Sequence, residues 1–342
     1  MVCHRRARPG VLYRCGATGV NVGGKLAVWM TGWPYEHKGA DFMNALITGA
    51  TGLIGRRLVE RLERPVVLSR NTERAKASLG EAVGSVFAWN PSAEPAPAEA
   101  FEGVDVVFNL AGESVGEGRW TKAKKQRILD SRVDGTRHLV ETIGGLDRPP
   151  RVLVSASAIG FYGPCGDEVL DESAPAGDDF LAQVCQAWEA EAAKARDAGL
   201  RVVCTRIGVV LATDGGALAK MLTPFKLGLG GRLSHGRQIM PWVHVDDVVS
   251  LLIHAAETEA IDGPMNTTAP TPVSNREFTR TLARVLRRPA IFPMPAFVLK
   301  LLLGEFAEAV LASQRVMPKR AQETGFKFQY PELEDALQAL QK

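Results

Sequence analysis

Thr48-Gly49-Ala50-Thr51-Gly52-Leu53-Ile54-Gly55 is the stretch that decides the fold, because its three glycines separate a predicted strand, 44–48, from a predicted helix, 54–62. The turn needs backbone torsions that a side chain would forbid, and a pyrophosphate must approach its backbone closely. The last glycine lets the helix and the strand pack tightly, and the first helical turn offers unpaired N–H groups to a phosphate. The stretch therefore predicts a dinucleotide-binding turn of the Rossmann type, with a glycine-rich turn that binds no ligand as the alternative.

Strand-like and helix-like segments alternate after this turn. Short apolar runs predict further strands at 65–69, 85–89, 104–110, 151–155 and 201–207, and apolar residues at helical spacing predict long helices at 123–143 and 180–198. Apolar strands separated by helices are typical of a parallel sheet that is covered on both faces. Right-handed crossovers then give the predicted fold class, an α/β fold with a doubly wound parallel sheet.

The end of the second predicted strand indicates which dinucleotide binds. Enzymes that use NAD place an acidic residue there, which bonds the ribose 2′-hydroxyl. This chain has Ser69 and Arg70 instead, with Arg74 one turn further on. A guanidinium can bind a 2′-phosphate through two hydrogen bonds, and no carboxylate is present to repel it. The sequence therefore predicts NADP(H), and the alternative is that Arg70 is a solvated charge at the end of a strand.

The ends of later strands complete the predicted cofactor site, because ligands of open α/β sheets bind beyond the carboxyl ends of the strands. Small residues at the end of the fourth strand leave room for a ribose, and Gly208 and Val209 are expected to meet the nicotinamide through their backbone. The predicted cofactor-binding residues are Gly49, Thr51, Gly52, Leu53, Ile54, Gly55, Ser69, Arg70, Asn109, Leu110, Ala111, Gly112, Ser155, Gly208 and Val209.

The composition of the sequence and its pattern of apolar residues change after about residue 212. Residues 213–240 are glycine-rich and irregular, whereas 241–262 resume a strand followed by a helix. We therefore predict an NADP-binding Rossmann domain over 43–212, to which 241–262 return. Residues 213–240 and 263–342 are assigned to a small, mostly helical C-terminal substrate lobe.

Two local patterns in the predicted C-terminal lobe predict helices. Ser274 and Glu277 form an S-x-x-E capping box before an apolar run, which indicates the start of a helix. The stretch 297–311 is the most apolar of the chain, but charged residues interrupt it. It is therefore predicted to be a buried amphipathic helix rather than a membrane span.

Composition excludes several classes of protein. The chain has 342 residues, of which 46% are hydrophobic and 23% are charged, as is usual for a globular protein. Its five cysteines are odd in number, scattered and never paired as C-x-x-C, so neither a disulfide framework nor a metal site is expected. A reducing, cytoplasmic compartment fits this usage.

The N-terminal segment 1–42 differs from the rest of the chain. It shows no sustained periodicity and carries six basic against two acidic residues. We expect a disordered extension, with a transit peptide as an alternative, because the segment lacks the apolar core of a signal peptide. The remainder is close to neutral, which argues against a nucleic-acid-binding surface.

The motifs TGATGLIG, NLAG, SASA and Trp242-Val243-His244-Val245-Asp246-Asp247 resemble those of the extended short-chain dehydrogenase/reductase superfamily. More narrowly, residues 43–340 resemble the YfcH-like epimerase-family proteins, an atypical branch. This narrower resemblance is carried by Asn109–Glu113, Arg119-Trp120-Thr121, Asp130-Ser131-Arg132, Ser155–Gly163, Phe180-Leu181-Ala182, Cys185, Trp188-Glu189, Gly236-Arg237-Gln238, Leu303-Gly304-Glu305, Pro318 and Gly325-Phe326. The resemblance implies an NADP-binding fold and an oxidoreductase or epimerase activity on an undefined substrate.

The chain departs from the superfamily at its catalytic pair, Tyr-x-x-x-Lys, in which the Tyr transfers a proton and the Lys lowers its pKa. The fourth residues after the four tyrosines of the chain are Ala17, Gly39, Gly166 and Glu334, so the pair is absent from the sequence. In register with Trp188-Glu189, the resemblance places Leu181 and Cys185 at the two positions.

Other residues must therefore serve any chemistry. Ser157 matches the superfamily's serine, Tyr162 follows the fifth strand, and Glu113 follows the fourth, so these three are the candidate catalytic residues. The alternative for Tyr162 is a packed loop aromatic. The candidate substrate residues are Arg132, Arg232, Arg237 and Trp242. Each of these could equally be a surface charge or a core residue.

Two functions remain open on this sequence. The first is an NADP-dependent oxidoreductase or epimerase that uses a different proton donor on a small carbonyl or hydroxyl substrate. The second is a catalytically inactive NADP-binding regulatory or scaffold protein. Neither nucleic acid nor membrane is expected as a partner, and the chain is expected to be a monomer or a homodimer.

Overall fold

The structure is a computed structural model that describes residues 43–341. The segment 1–42, for which a disordered extension is predicted, lies outside the described residues.

The strands follow the predicted order along the chain. They are β1 (Ala45–Thr48), β2 (Val66–Ser69), β3 (Ser85–Ala88), β4 (Val106–Asn109), β5 (Val152–Ala158), β6 (Val169–Leu170), β7 (Arg201–Ile207), β8 (Val209–Leu211), β9 (Ile239–Met240), β10 (Trp242–His244), β11 (Gly263–Thr267), β12 (Val273–Ser274) and β13 (Arg315–Val316).

The helices alternate with these strands in the first two thirds of the chain and dominate the last third. They are α1 (Leu53–Val59), α2 (Thr72–Leu79), α3 (Lys122–Gly144), α4 (Phe180–Ala193), α5 (Gly216–Lys226), α6 (Val245–Glu257), α7 (Asn275–Leu286), α8 (Ala296–Leu303), α9 (Phe306–Leu311), α10 (Lys319–Glu323) and α11 (Leu333–Ala339). Short 3₁₀ turns occur at Gly80–Ala82, Ala98–Phe101, Ile159–Tyr162 and Lys194–Ala198.

Seven strands form one parallel sheet in the order β3-β2-β1-β4-β5-β7-β11. The strand order reverses between β1 and β4, which is where open sheets of this kind bind ligands. The register pairs Thr48 with Asn109 and Asn109 with Ser155, so the carboxyl ends of β1, β4 and β5 meet at one edge. The predicted doubly wound α/β fold is confirmed.

The two faces of the sheet are covered by different helices, as the alternation of side chains along a strand requires. Ile47 packs with α1 and α6 in one apolar core, whereas its neighbour Leu46 packs with α3 in the other. Both side chains are buried. This is the arrangement that the near-continuous apolar strands predicted.

The C-terminal elements build a separate apolar core from α5, α7 and α11. Leu222, Phe278 and Leu337 meet there with Trp242 of β10. Residues 263–267, which the sequence assigned to this lobe, instead form β11 at the edge of the main sheet and pair with β7. The division of the chain into two lobes stays a prediction.

The segment 297–311 differs from its prediction. It forms two short helices, α8 and α9, because Gly304 adopts φ +63° and ends the first of them. Leu299 and Ala307 are buried, but Phe297 is 73% exposed, and Leu301 and Leu302 are also exposed. The prediction of one buried helix is therefore wrong. No helix in the described residues is long and apolar enough to span a membrane.

Side-chain caps start five of the described helices, namely α2, α3, α4, α6 and α7. Ser274 Oγ accepts a hydrogen bond from the Glu277 amide, which confirms the predicted start of α7. At α6 the cap is His244, whose Nδ1 accepts from the Asp246 amide at 3.1 Å. Burial lowers the pKa of His244 to about 4, so the imidazole is neutral.

Asp247, three residues further on, responds to burial in the opposite direction. Its carboxyl accepts the Gln329 and Tyr330 amides, yet burial raises its pKa to about 6. The Asp247 contribution to stability is lost as the pH rises from about 4 through 6, whereas the His244 contribution is lost as the pH falls below about 6.5. The two effects oppose each other in the same pH window.

The substitution His244→Asn separates the pH-dependent stability contribution of His244 from that of Asp247, because Asn keeps an acceptor at the N-cap but takes up no proton. On lowering the pH from about 7 to about 5, the wild type should lose about 2 kcal/mol more free energy of unfolding than His244→Asn does. Urea unfolding of both proteins at each pH measures this difference. Because Asp247 is present in both proteins, its own pH dependence does not contribute to the difference. Equal losses in the two proteins would show that His244 is not held neutral.

Candidate active site

The glycine turn between β1 and α1 is shaped by contacts that exclude side chains. Gly49 has φ +71°, and a Cβ on it would lie 2.8 Å from the carbonyl carbon of Leu110. A Cβ on Gly55 would lie 2.3 Å from Gly49 O. The cap residue of α1, Gly52, offers no side-chain acceptor, and the first turn contains no acidic residue. The turn therefore fits an anionic group such as a pyrophosphate, with Thr51 and Gly52 exposed.

A buried hydrogen-bond network fixes the strand ends next to this turn. Thr48 Oγ1 donates to Asn109 Oδ1 at 2.8 Å and accepts the amides of Leu110 and Ala111 at 3.1 Å. Asn109 Nδ2 donates to Thr136 Oγ1, which also accepts the indole N–H of Trp188. The network joins β1 and β4 to α3 and α4.

Asn109 and Ser155 are predicted to bind the cofactor, but their side chains are buried inside this network. Asn109 Nδ2 lies 3.3 Å from Ser155 Oγ. The two residues therefore position the neighbouring backbone rather than offering free polar groups. In the segment that follows Asn109, Gly112 is exposed, whereas Leu110 and Ala111 are half-buried.

At the end of β2, the predicted cofactor selector Arg70 is exposed. Its guanidinium makes no ion pair or hydrogen bond within residues 43–341. The neighbouring Ser69 hydroxyl accepts the Asn71 amide at 3.3 Å, and Asn71 caps α2 by accepting the Arg74 amide. The backbone around Arg70 is thus fixed, while its side chain remains available to an anion.

Ser157 is the last residue but one of β5, is buried, and contacts an ion pair that the sequence analysis did not predict. Its hydroxyl donates to Glu189 Oε1 at 2.6 Å. Arg206 holds the same carboxylate through two hydrogen bonds, each of 2.9 Å, and its side chain is almost completely buried. Glu189 lies four residues after Cys185 on α4, the spacing that puts two side chains on one helical face. That spacing, together with the Trp188-Glu189 pair in the family resemblance, could have indicated Glu189.

Tyr162 is placed on the far side of Arg206. It is 1% exposed, and its hydroxyl donates to Asn266 Oδ1 at 2.6 Å while accepting from Arg206 Nη1 at 3.0 Å. Burial raises the pKa of the phenol. The structure thus gives Tyr162 the packed position that was the alternative in the sequence, with its hydroxyl bonded inside the protein.

Glu113 follows β4 and is held by a cation from α3. Lys124 Nζ lies 2.8 Å from its carboxylate, and this hydrogen bond lowers the pKa of Glu113. A carboxyl group with a lowered pKa is ionised near neutral pH and is a poor proton donor. Lys124 itself is buried.

Arg132 of α3 lies against the same loop. It donates to Glu113 O at 3.0 Å, and a Cβ on Gly112 would lie 3.1 Å from its guanidinium carbon. The ring of Trp188 is 5.0 Å away. A fixed positive charge thus lies directly beneath the predicted ribose position at Gly112.

Leu181 and Cys185, the residues that the resemblance places at the positions of the catalytic pair, lie on α4. Cys185 is buried, and burial raises its pKa to about 11. A thiol with that pKa is neutral at physiological pH and supplies neither the charge of a lysine nor a nucleophile.

The remaining predicted cofactor and substrate residues differ in how accessible they are to a ligand. Trp242 is fully buried, and its indole N–H donates to Thr271 O, so it packs in the C-terminal core. The amides of Gly208 and Val209 already donate to Thr267 O and Pro241 O. Arg232 and Arg237, in contrast, are exposed.

The chain is similar to known proteins over most of its length. Residues 45–266 match the model of the "NAD dependent epimerase/dehydratase family", and residues 294–340 match a "Domain of unknown function (DUF1731)". The "Epimerase family protein SDR39U1 homolog, chloroplastic" of Arabidopsis thaliana is 42% identical over 310 residues, which are 87% of this chain and 86% of that protein. "Epimerase family protein YfhF" of Bacillus subtilis (strain 168) is 39% identical over 303 residues, 87% and 98% of the two chains.

A solved structure is similar over the same range. The crystal structure of human epimerase family protein SDR39U1 (isoform 2) with NADPH superimposes with a TM-score of 0.77 at 34% identity. The match covers 87% of this chain and 99% of the human one.

The position of Tyr162 leads to a test of its role. Tyr162→Phe removes a hydroxyl that is bonded to Asn266 and Arg206, so we expect the free energy of unfolding to fall by about 1–3 kcal/mol. Binding of NADPH should be unchanged, because these partners lie inside the protein. Urea unfolding and a fluorescence titration measure the two quantities. Weaker NADPH binding at unchanged stability would contradict this assignment.

Proposed function

The chain belongs to the NAD dependent epimerase/dehydratase family, and on this premise we propose that it is an NADP(H)-dependent oxidoreductase or epimerase. The resemblance to epimerase-family proteins of the extended short-chain dehydrogenase/reductase type is confirmed. The proposed substrate is a small molecule with a carbonyl or hydroxyl group. The observation that carries the proposal is the glycine turn, which excludes side chains at Gly49 and Gly55, together with the unpaired Arg70 at the end of β2.

The proposed cofactor site uses the backbone at the turn and a side chain at its far end. Gly52 and the first turn of α1 would meet the diphosphate, and Arg70 would bind the 2′-phosphate. The human relative crystallised with NADPH supports this choice of cofactor. When bound, NADP(H) supplies hydride transfer.

The proposed proton path runs through Ser157 and Glu189. A hydroxyl that donates to a carboxylate can accept a proton from a substrate alcohol while it passes its own proton on. The substrate proton would then reside on Ser157 and the serine proton on Glu189, while the substrate carbon would pass its hydride to the oxidised cofactor. In this scheme Arg206 fixes the position of the Glu189 carboxylate through two hydrogen bonds.

Arg132 is proposed to supply the positive charge that the missing lysine would give. Its guanidinium lies beneath Gly112, at the edge where ribose and substrate are expected to lie. Glu113 is proposed to stay ionised and to orient substrate or loop rather than to donate a proton. The predicted lobes fit this arrangement, with the C-terminal lobe as the proposed substrate side.

A reducing, cytoplasmic compartment is part of the proposal. In the described part of the chain Cys165, Cys185 and Cys204 are free thiols. The Arabidopsis relative is named as chloroplastic, so the compartment of this chain has to be measured by localisation in cells. The chain is proposed to act as a monomer or a homodimer.

A second function is favoured by one observation, the loss of the Tyr and Lys positions to Leu181 and the neutral Cys185. On this alternative the chain binds NADP(H) without turnover, and the cofactor selects a conformation for a partner. Affinity capture from a lysate with and without NADPH tests it. Identical sets of captured proteins in both conditions would contradict it.

The first function is tested with NADPH and a panel of carbonyl compounds, followed by the loss of NADPH absorbance. Where a substrate is found, Ser157→Ala should lower kcat by about 10²–10⁴-fold, the scale of general acid–base catalysis, and leave NADPH binding unchanged. Bound NADPH without turnover across the panel would contradict the catalytic proposal. Full activity in Ser157→Ala would contradict the proton path alone.

Cofactor choice has its own test. Arg70→Asp puts a carboxylate against the proposed 2′-phosphate, so NADPH should bind about 10–100-fold more weakly, equivalent to roughly 1–3 kcal/mol. Binding of NADH should not weaken. Calorimetry measures both affinities, and Arg148→Asp, an exposed arginine of the loop before β5, is the matched control. Unchanged NADPH affinity in Arg70→Asp would show that this residue does not select the cofactor.

A further inference from the structure

A second group of cationic side chains lies in the C-terminal part of the chain. Three arginines, Arg232, Arg276 and Arg280, line a cavity of about 240 Å³ with Thr279. Its apolar wall is formed by Ala290, Ile291 and Pro293. This volume is below the range of about 300–1,000 Å³ that is typical of drug-sized ligands. It is large enough for a phosphate and a few further atoms.

The three arginines have no anionic partner. Arg280 has no hydrogen bond or ion pair within residues 43–341, and no carboxylate lines the described cavity. Arg232 and Arg276 reach only the carbonyl oxygens of Ser234 and His235, at 3.3 and 3.5 Å. Like charges held together around a cavity repel each other, and an anion between them removes that repulsion.

The backbone holds two of these arginines close together. Gly236 has φ +71°, and a Cβ on it would lie 3.0 Å from Arg232 Cδ and 3.3 Å from Arg276 Cβ. Its amide donates to Leu233 O, and its carbonyl accepts the Arg276 amide. The cluster is therefore built into the fold rather than being a chance meeting of surface side chains.

The buried hydroxyl of Thr279 supports an anion site independently of the arginines. It lines the cavity and is only 4% exposed, and its Oγ1 is buried without a hydrogen-bond partner. Buried hydroxyl groups in folded proteins are nearly always hydrogen-bonded. Here the hydroxyl stands on α7 between two arginines, three residues after Arg276 and one before Arg280. A phosphate oxygen is the acceptor that such a donor lacks.

The cavity is separate from the glycine turn. Helix α5 begins beside the turn, because a Cβ on Gly215 would lie 3.1 Å from Leu53 Cδ1. Its other end reaches the loop that carries Arg232, since Phe225 packs against Gly230. An α-helix of 11 residues spans about 16 Å, so the two places lie about one helix length apart.

We infer that Arg232, Arg276, Arg280 and Thr279 form a phosphate-binding site in the C-terminal lobe, distinct from the dinucleotide turn. The ligand is a phosphate group, carried by a small molecule or free as inorganic phosphate. Guanidinium groups bind phosphate oxygens in pairs, and the hydroxyl donates to a further oxygen. The inference does not depend on the proposed function, because it uses none of the residues of the cofactor turn.

Calorimetric titration of the full chain with inorganic phosphate tests the site, first alone and then with NADPH at saturation. The wild type should bind phosphate in a saturable way under both conditions. Thr279→Val and Arg280→Gln should each weaken binding about tenfold or more, the effect of losing one hydrogen bond to a charged group. Arg148→Gln is the matched control and should bind phosphate as the wild type does.

Thr279→Val also separates ligand binding from folding, because valine keeps the shape and removes only the unpaired hydroxyl. Its melting temperature without phosphate should equal or exceed that of the wild type. Absence of saturable phosphate binding in the wild type, or equal affinity in both variants and the wild type, would overturn the inference. Retention on vesicles that contain phosphatidic acid, without binding of free phosphate, would also overturn it in favour of a lipid surface.

Discussion

The hydrogen bond from Thr48 to Asn109 is the interaction on which the rest of the candidate site depends. It joins the ends of the two strands between which the strand order reverses, and the same Thr48 oxygen fixes the amides of Leu110 and Ala111. Because Gly49 packs against the Leu110 carbonyl, the shape of the glycine turn follows from this contact. Loss of one partner would leave buried polar groups unpaired, which costs more than the hydrogen bond alone contributes.

The polar groups at the sheet edge divide into a fixed frame and a few available groups. Asn109, Ser155 and Tyr162 are bonded within the protein and hold strands, helices and loops together. Arg70 at one end of the edge is exposed, whereas Ser157 at the other end is buried and its hydroxyl donates to Glu189. A chain that has lost its Tyr and Lys thus retains a cofactor-shaped edge and a hydroxyl coupled to a carboxylate.

Local pattern was sufficient to predict six strands of the central sheet, the long helices and the glycine turn, because each depends on a periodicity or torsion that neighbouring residues set. Burial of Trp242 and Tyr162 was not predictable, since their partners Thr271 and Asn266 lie 29 and 104 residues away. The position of β11 in the sheet depends on pairing with β7, about 60 residues earlier. The break of 297–311 at Gly304 follows from one positive φ, which an apolar pattern does not reveal.

We propose that the glycine turn binds the diphosphate of NADP(H) and that Arg70 binds its 2′-phosphate. A crystal structure of the full chain grown with NADPH tests it most directly. The account predicts the diphosphate against Gly49–Gly55 and the 2′-phosphate within hydrogen-bond distance of the Arg70 guanidinium. A dinucleotide bound elsewhere, or crystals without one at saturating concentration, would contradict it.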